Sequence, residues 1–284
     1  MTRTVVIAQI AEMAGVSTAT VSKVFNGRGD VSAKTRAVIE DIMLAHGYRP
    51  RTRFVTAPLL DLVLHELVGP YAMEIIAGAE RAAAEHHMAL VVSELGGRHV
   101  PDEKWIEQAV YHRSRGIVAV LCGPTEQQRA RLASRAIPVV LVDPLTDPGP
   151  DVPTVRAADR EGAAAATRHL LELGHRRIGV VAGPAGVTSG RDRLDGYLDA
   201  LEAAGVPLDP ALVREGDYQV EAGRRHTHAL LCLPDPPTAV FACNDAQALG
   251  SYQAAFDREL RVPDHLSVVG FDDLPPAELA SPGL

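Results

Sequence analysis

The stretch GVSTATVSKVFNG, Gly15 to Gly27, decides how the start of the chain is read. It is small, rich in hydroxyls and carries one charge, Lys23. Gly15 can adopt the positive φ that ends a helix, and Ser17 is placed to cap the next one. Upstream, Ile7, Ile10, Ala11 and Ala14 recur at helical spacing and predict a helix from about Ile7 to Ala14. Downstream, a second helix is predicted from Thr18 to Phe25, with Val21, Val24 and Phe25 facing the first helix and Thr18, Ala19, Ser22, Lys23 and Asn26 facing outward. Two helices joined by Gly15 and Val16 alone make a helix-turn-helix.

A third helix follows. Ser32 is its predicted N-cap, Val38, Ile39, Ile42, Met43 and Ala45 form its apolar stripe, and HGYRP stops it at Gly47 and Pro50. Residues 1–58 hold eight Lys/Arg against four acids, a net +4, whereas the rest of the chain is −12. A basic head on an acidic body implies a polyanionic partner for the head alone. A helix entering the major groove must bring its backbone near the bases, and small side chains permit that while hydroxyls and amides bond phosphates. Lys23 suits guanine O6 and N7; a phosphate contact is its alternative.

The segment IAQIAEMAGVSTATVSKVFNGRGDVSAKTRAVIEDIMLAHGYRP, from Ile7, resembles the DNA-binding headpiece of the LacI/GalR (lactose-repressor) family of bacterial transcription regulators. By that resemblance Thr18, Ala19 and Lys23 match base-reading residues, and Thr20, Ser22 and Asn26 match phosphate-facing ones.

From Leu59 onward, short apolar runs alternate with helical stretches. The runs are LLDLVL, ALVVS, GIVAVLC, IPVVLVD, RIGVVAG, TAVFACND and LSVVGFDD; the helical stretches include residues 72–87, 160–173, 191–204 and 246–256. That pattern predicts parallel sheets with crossover helices, and continuous apolarity predicts strands covered on both faces. In such sheets ligands bind beyond the carboxyl ends of the strands. Asp143, Asn244, Asp245, Asp272 and Asp273 fall there. Each is singly as consistent with a helix cap, but their repetition favours a shared cleft. Carboxylates and amides suit a hydroxyl-rich ligand, with Arg191 as donor and Tyr71 and Tyr218 as flat apolar walls.

The body is similar to the family's two-lobed effector core through LGHRRIGVVAGP, SGRDRLDGYLDALEAAGV, PTAVFACNDAQALG and VPDHLSVVGFDD. The resemblance implies a periplasmic-binding-protein-like α/β core of two Rossmann-like lobes behind the all-α headpiece. Arg191, Asn244 and Asp272 match effector-binding residues, Asp143 and Tyr218 match pocket residues, and Tyr71 matches a cleft-edge aromatic. The expected division is 1–50 headpiece, 51–58 linker, 59–156 first lobe and 157–284 second lobe. Two departures stand out. The linker RTRFVTAP leaves little room for the family's hinge helix, so weak minor-groove wedging is expected. The chain also ends at Leu284, before the family's return to the first lobe, whose sheet is therefore expected to be incomplete.

Enzyme motifs fail. GPAGVTSGR lacks a Gly-Lys-Ser/Thr ending, and no GxGxxG after a strand, GxSxG or HExxH occurs. No cofactor or metal is expected, and His86, His87, His226 and His228 read as solvated helix surface. Cys122, Cys232 and Cys243 are expected to be buried thiols. No apolar run approaches the roughly 18 to 20 residues of a membrane span and no signal pattern opens the chain, so a cytoplasmic, nucleoid-associated protein with no membrane partner is expected. The expected partners are pseudo-palindromic double-stranded operator DNA, a second copy of the chain, and a small effector, a carbohydrate in preference to a nucleobase. The rival readings are a binding protein without DNA activity and a repressor decoupled from its ligand.

Overall fold

The structure is a computed structural model that describes residues 6–25, 31–46 and 58–284. The chain forms two compact units, Met1–Thr56 and Ala57–Leu284.

In the first unit, helices α1 (Ile7–Met13), α2 (Thr18–Phe25) and α3 (Ala33–Ala45) follow one another. Gly15 has φ +62°. Its N–H donates to Glu12 O and the Val16 N–H to Ala11 O, the paired bonds that close a helix C-terminus with a left-handed residue. The Ser17 hydroxyl then accepts from the Thr20 N–H at 3.2 Å, and Ser32 accepts from the Thr35 N–H at 3.2 Å. Ile10, Ala11, Val21, Val24 and Ile39 form the buried centre, with Ile42 and Met43 packed against it. Val38 is 43% exposed and Ala45 is exposed, so the stripe expected on α3 is narrower than its apolar residues. The contacting positions are Ile39, Ile42 and Met43, which share one face at i, i+3 and i+4; Val38 lies about 100° away around the axis. The Arg36 guanidinium donates to Val24 O, tying α3 to the last turn of α2. The expected roles of Asn26, of the Gly47 and Pro50 stop and of residues 51–57 in the linker lie outside the described residues, as does the packing expected of the Phe25 side chain.

The second unit contains two parallel sheets. The first comprises β1 (Leu59–Leu64), β2 (Ala89–Glu94), β3 (Gly116–Val120), β4 (Val139–Val142) and β5 (Thr154–Val155), in the order β2-β1-β3-β4-β5. Helices α4 (Gly69–Glu85), α5 (Glu103–His112) and α6 (Glu126–Ala133) connect its strands. The second sheet comprises β6 (Ile178–Ala182), β7 (Val213–Glu215), β8 (Ala239–Ala242) and β9 (Ser267–Val269), in the order β7-β6-β8-β9. Around it lie α7 (Asp159–Glu172), α8 (Thr188–Ala203), α9 (Val220–Leu231) and α10 (Asp245–Phe256).

The continuous apolar runs are explained by cores on both faces of each sheet. Along β6, Ile178, Val180 and Ala182 enter one buried cluster and Val181 the other; along β8, Ala239 and Phe241 enter the first and Val240 the second. Successive strand side chains point to opposite faces, so only a strand covered on both sides needs this composition. Asp61 interrupts β1. It is 4% exposed and accepts a hydrogen bond from Ser114; burial raises its pKa, and Ser114 and His112 partly offset this.

One expectation about the cysteines is corrected. Cys122 and Cys243 are buried, and burial pushes each thiol up to about 12, but Cys232 is exposed. It is the C-cap of α9, where the chain turns outward, and its sulfur accepts from Arg258 Nη2 at 2.6 Å.

Candidate functional site

In the headpiece, Thr18 and Ala19 are exposed on the first turn of α2, while Thr20, Ser22 and Lys23 are half-buried. The Thr20 hydroxyl lies 3.0 Å from Ser17 Oγ, so this side chain also reinforces the cap. The first turn presents a methyl and a hydroxyl, with no long side chain to hold a surface away.

In the second unit, polar side chains from both lobes meet at the carboxyl ends of the strands. Tyr71, on the first turn of α4, donates its hydroxyl to Asp143, which follows β4. Burial raises the Tyr71 pKa, Asp143 and Asp272 raise it further, and Arg193 partly opposes them. Groups of the first and second lobes therefore share one electrostatic cluster. The Thr188 N–H and hydroxyl both donate to Leu145 O, a second link between the lobes.

Arg193 is the centre of the cluster. Its Nε donates to Asp159 at 2.7 Å, its Nη1 to Cys243 O at 2.5 Å, and its Nη2 lies 3.0 Å from Asp272 Oδ1. The guanidinium carbon stands 3.9 Å from the centre of the Phe271 ring and 5.7 Å from that of Tyr218. Burial opposes its charge, but Asp272, Tyr218 and Asp159 hold the pKa up, so it stays a cation. The Asp272 side chain is 16% exposed although its main chain is open to solvent. Burial pushes its carboxyl up to about 6 against the pull of Arg193, and Asp245 adds to the rise. Burial likewise pushes Tyr218 up to about 12, with Arg193 opposing. Asp143, Tyr218 and Asp272 have φ of 45°, 65° and 101°. A non-glycine residue there costs of order 1–3 kcal/mol, and such strain concentrates at functional sites.

Gly183, just past β6, makes room for the aromatic wall. A Cβ there would lie 2.3 Å from Cζ and Oη of Tyr218. Among the described residues no three His, Cys, Asp or Glu side chains gather as a metal site.

Residues 57–281 match the family of periplasmic binding proteins and the sugar binding domain of the LacI family. Residues 6–51 match the bacterial regulatory proteins of the lacI family. The chain belongs to the LacI family. LacI-family similarity runs along nearly its whole length: it is 32% identical over 281 residues to the HTH-type transcriptional repressor CytR of Escherichia coli K12, covering 97% of this chain and 82% of that protein. It is 30% identical to the repressor PurR of Haemophilus influenzae PittEE, covering 98% and 84%. A lac repressor dimer bound to operator and the anti-inducer ONPF superposes with TM-score 0.75 at 28% identity, covering 99% of this chain and 86% of that one. The transcriptional regulator CelR in complex with cellobiose superposes with TM-score 0.70 at 30% identity, with the same coverage. Its LacI-family relatives are DNA-binding transcriptional repressors with a ligand-binding domain.

Within this LacI-family chain, the cluster gathers four of the six effector residues expected from sequence: Tyr71, Asp143, Tyr218 and Asp272. Asn244 adjoins them, but its amide is engaged. Oδ1 caps α10 by accepting from the Gln247 N–H at 2.9 Å, and Nδ2 donates to Tyr218 O at 3.0 Å. It holds the Tyr218 backbone in place. Arg191 is not brought in. It is exposed, and its Nη2 reaches Thr188 Oγ1 at 3.4 Å. Two residues on a helix differ by about 200° around its axis, so Arg193 points inward where Arg191 points out. Arg193, Asp159 and Phe271 went unrecognised in the sequence.

Proposed function

We propose that the chain is a sequence-specific transcriptional repressor whose operator affinity is set by a small carbohydrate bound between its two lobes. The observation that carries the ligand half is the convergence of Tyr71 and Asp143 from one lobe with Arg193 and Asp272 from the other. Asp272 and Asp143 accept hydroxyl hydrogens, the guanidinium orients Asp272, and Tyr218 and Phe271 offer flat faces to a sugar ring. Arg193 takes the donor role expected of Arg191.

For the DNA half, α2 enters the major groove with Thr18, Ala19 and Lys23 at base edges and Thr20, Ser22 and Asn26 on phosphates. One such helix reads too few base pairs to be selective. Two copies of the chain therefore act as a cytoplasmic homodimer on a pseudo-palindromic operator, with recognition helices about 34 Å apart. The operator-bound lac repressor dimer and the cellobiose-bound CelR support this reading by likeness. A ligand changes operator affinity only by favouring one arrangement of the lobes over another.

A thermal-shift screen of sugars on the full chain tests it. A ligand that binds the native state raises Tm by mass action. The reading expects at least one sugar to raise Tm in the wild type and not in Asp272→Asn, and to change operator affinity. Sugars that shift neither Tm nor operator binding would refute it.

A further inference from the structure

His65 and His99 lie outside this cluster and have no part in it. Their rings are stacked, with centroids 4.0 Å apart and planes within 11°. His65 Nδ1 is 3.1 Å from Arg98 O, and His99 Nδ1 is 3.0 Å from Leu121 O. A carbonyl oxygen only accepts, so each Nδ1 carries the proton and each neutral ring keeps a lone pair on Nε2. Neither Nε2 has a hydrogen-bond partner among the described residues.

The pair sits at the carboxyl edge of the first sheet. His65 follows β1, and its N–H donates to Val120 O at the end of β3. Gly123 N–H donates to His99 O, and Leu121 N–H donates to Val142 O, next to Asp143. Because β3 alone lies between β1 and β4, His65 and Asp143 are about 10 Å apart along that edge. That is the reach of two linked sugar rings.

The chemistry of the edge is one-sided. Two imidazole lone pairs and the exposed Glu66 carboxylate all accept hydrogen bonds. The nearby cation Arg98 has Nε on Leu95 O and Nη1 on Asp102. A metal is a poor occupant, since parallel stacked rings direct their lone pairs side by side without converging on one point.

We infer that His65 and His99 form a second subsite of the cleft, accepting hydroxyl hydrogens from the far ring of an uncharged, two-ring carbohydrate. This rests on the carbohydrate reading of Arg193 and Asp272. The pair sets preference for length and against phosphate, because the site offers acceptors where an anion needs donors.

Calorimetric titration of the full chain tests this with cellobiose, maltose, lactose, sucrose, glucose, galactose and glucose 6-phosphate. At least one disaccharide binds about tenfold tighter than either monosaccharide, or 1.4 kcal/mol. In the His65→Asn/His99→Asn double variant that preference disappears while monosaccharide affinity and Tm stay as in wild type. Asparagine keeps an amide nitrogen near the Nδ1 position but has nothing at Nε2, so a merely structural role would leave the preference intact. An unchanged preference, or tighter binding of glucose 6-phosphate, overturns the subsite. Monosaccharide binding that depends on Asp272 without any gain for disaccharides overturns it and leaves the cleft reading standing. Failure of every sugar to bind removes both.

Discussion

Arg193 Nη2 stands 3.0 Å from Asp272 Oδ1 with the two side chains 9% and 16% exposed, yet burial still raises the Asp272 carboxyl to about 6. The pair is close enough to attract and too dry to ionise fully at mild acidity. Between the unfolded value of 3.8 and about 6, the folded chain holds a proton that the unfolded chain has lost. By linkage this carboxyl's contribution to stability falls as pH rises through that window and is level above it. Ligand binding runs the other way if the ionised carboxylate accepts a sugar hydroxyl. Affinity should rise about tenfold from pH 5 to pH 7. Calorimetry at each pH checks this, and Asp272→Asn should bind weakly with no such slope.

The two arginines of α8 should separate cleanly. Arg193→Ala strands Asp159 and Asp272 without their partner, and losing one side of a buried pair costs about 3–5 kcal/mol. Arg191→Ala removes an exposed side chain and should change stability by less than about 0.5 kcal/mol. Urea unfolding gives both values. Comparable losses in the two variants would contradict the placement.

Gly183→Ala tests the aromatic wall. The new methyl group would meet the Tyr218 ring at 2.3 Å, so the ring must move and its contact with Ser189 at 3.2 Å must break. Overpacking of this kind costs about 1–3 kcal/mol. Tm should fall and sugar affinity should weaken; a variant matching wild type in both would show that Tyr218 is not held against this backbone.

Headpiece variants should fall into two kinds. Ser17→Ala removes the cap on α2 and costs about 1 kcal/mol of helix stability, weakening binding to every duplex alike. Lys23→Ala should instead relax preference at one base pair per half-site by about 1–3 kcal/mol. Binding measured on a set of single-base operator variants distinguishes them; uniform weakening by Lys23→Ala would make that residue a phosphate contact.

The headpiece was legible because its signals are local. A glycine at positive φ, Ser17 and Ser32 as caps and a short apolar period fix α1 to α3 with no knowledge of the body. Strands β6 and β8 were legible because two-sided burial leaves an unbroken apolar run. The two-residue β5 and three-residue β7 lie at sheet edges and bury too little to leave such a trace. That Arg193 and not Arg191 joins the buried cluster follows from the helix phase, which depends on where α8 meets the sheet and not on its own composition. The His65 and His99 pair is 34 positions apart in sequence. Only the adjacency of β1, β2 and β3 brings the rings together, and no local pattern signals it.

The central claim is that one chain reads a DNA sequence through α2 and answers to a molecule held around Arg193. Selection from a random duplex pool by the full chain at moderate ionic strength, followed by competition against unselected DNA with and without the best sugar, tests it most directly. The account predicts recovery of a pseudo-palindrome bound at least about a thousandfold more tightly than random duplex, with that ratio changed by the sugar in wild type and not in Asp272→Asn. Equal affinity for selected and random DNA under every condition would contradict it.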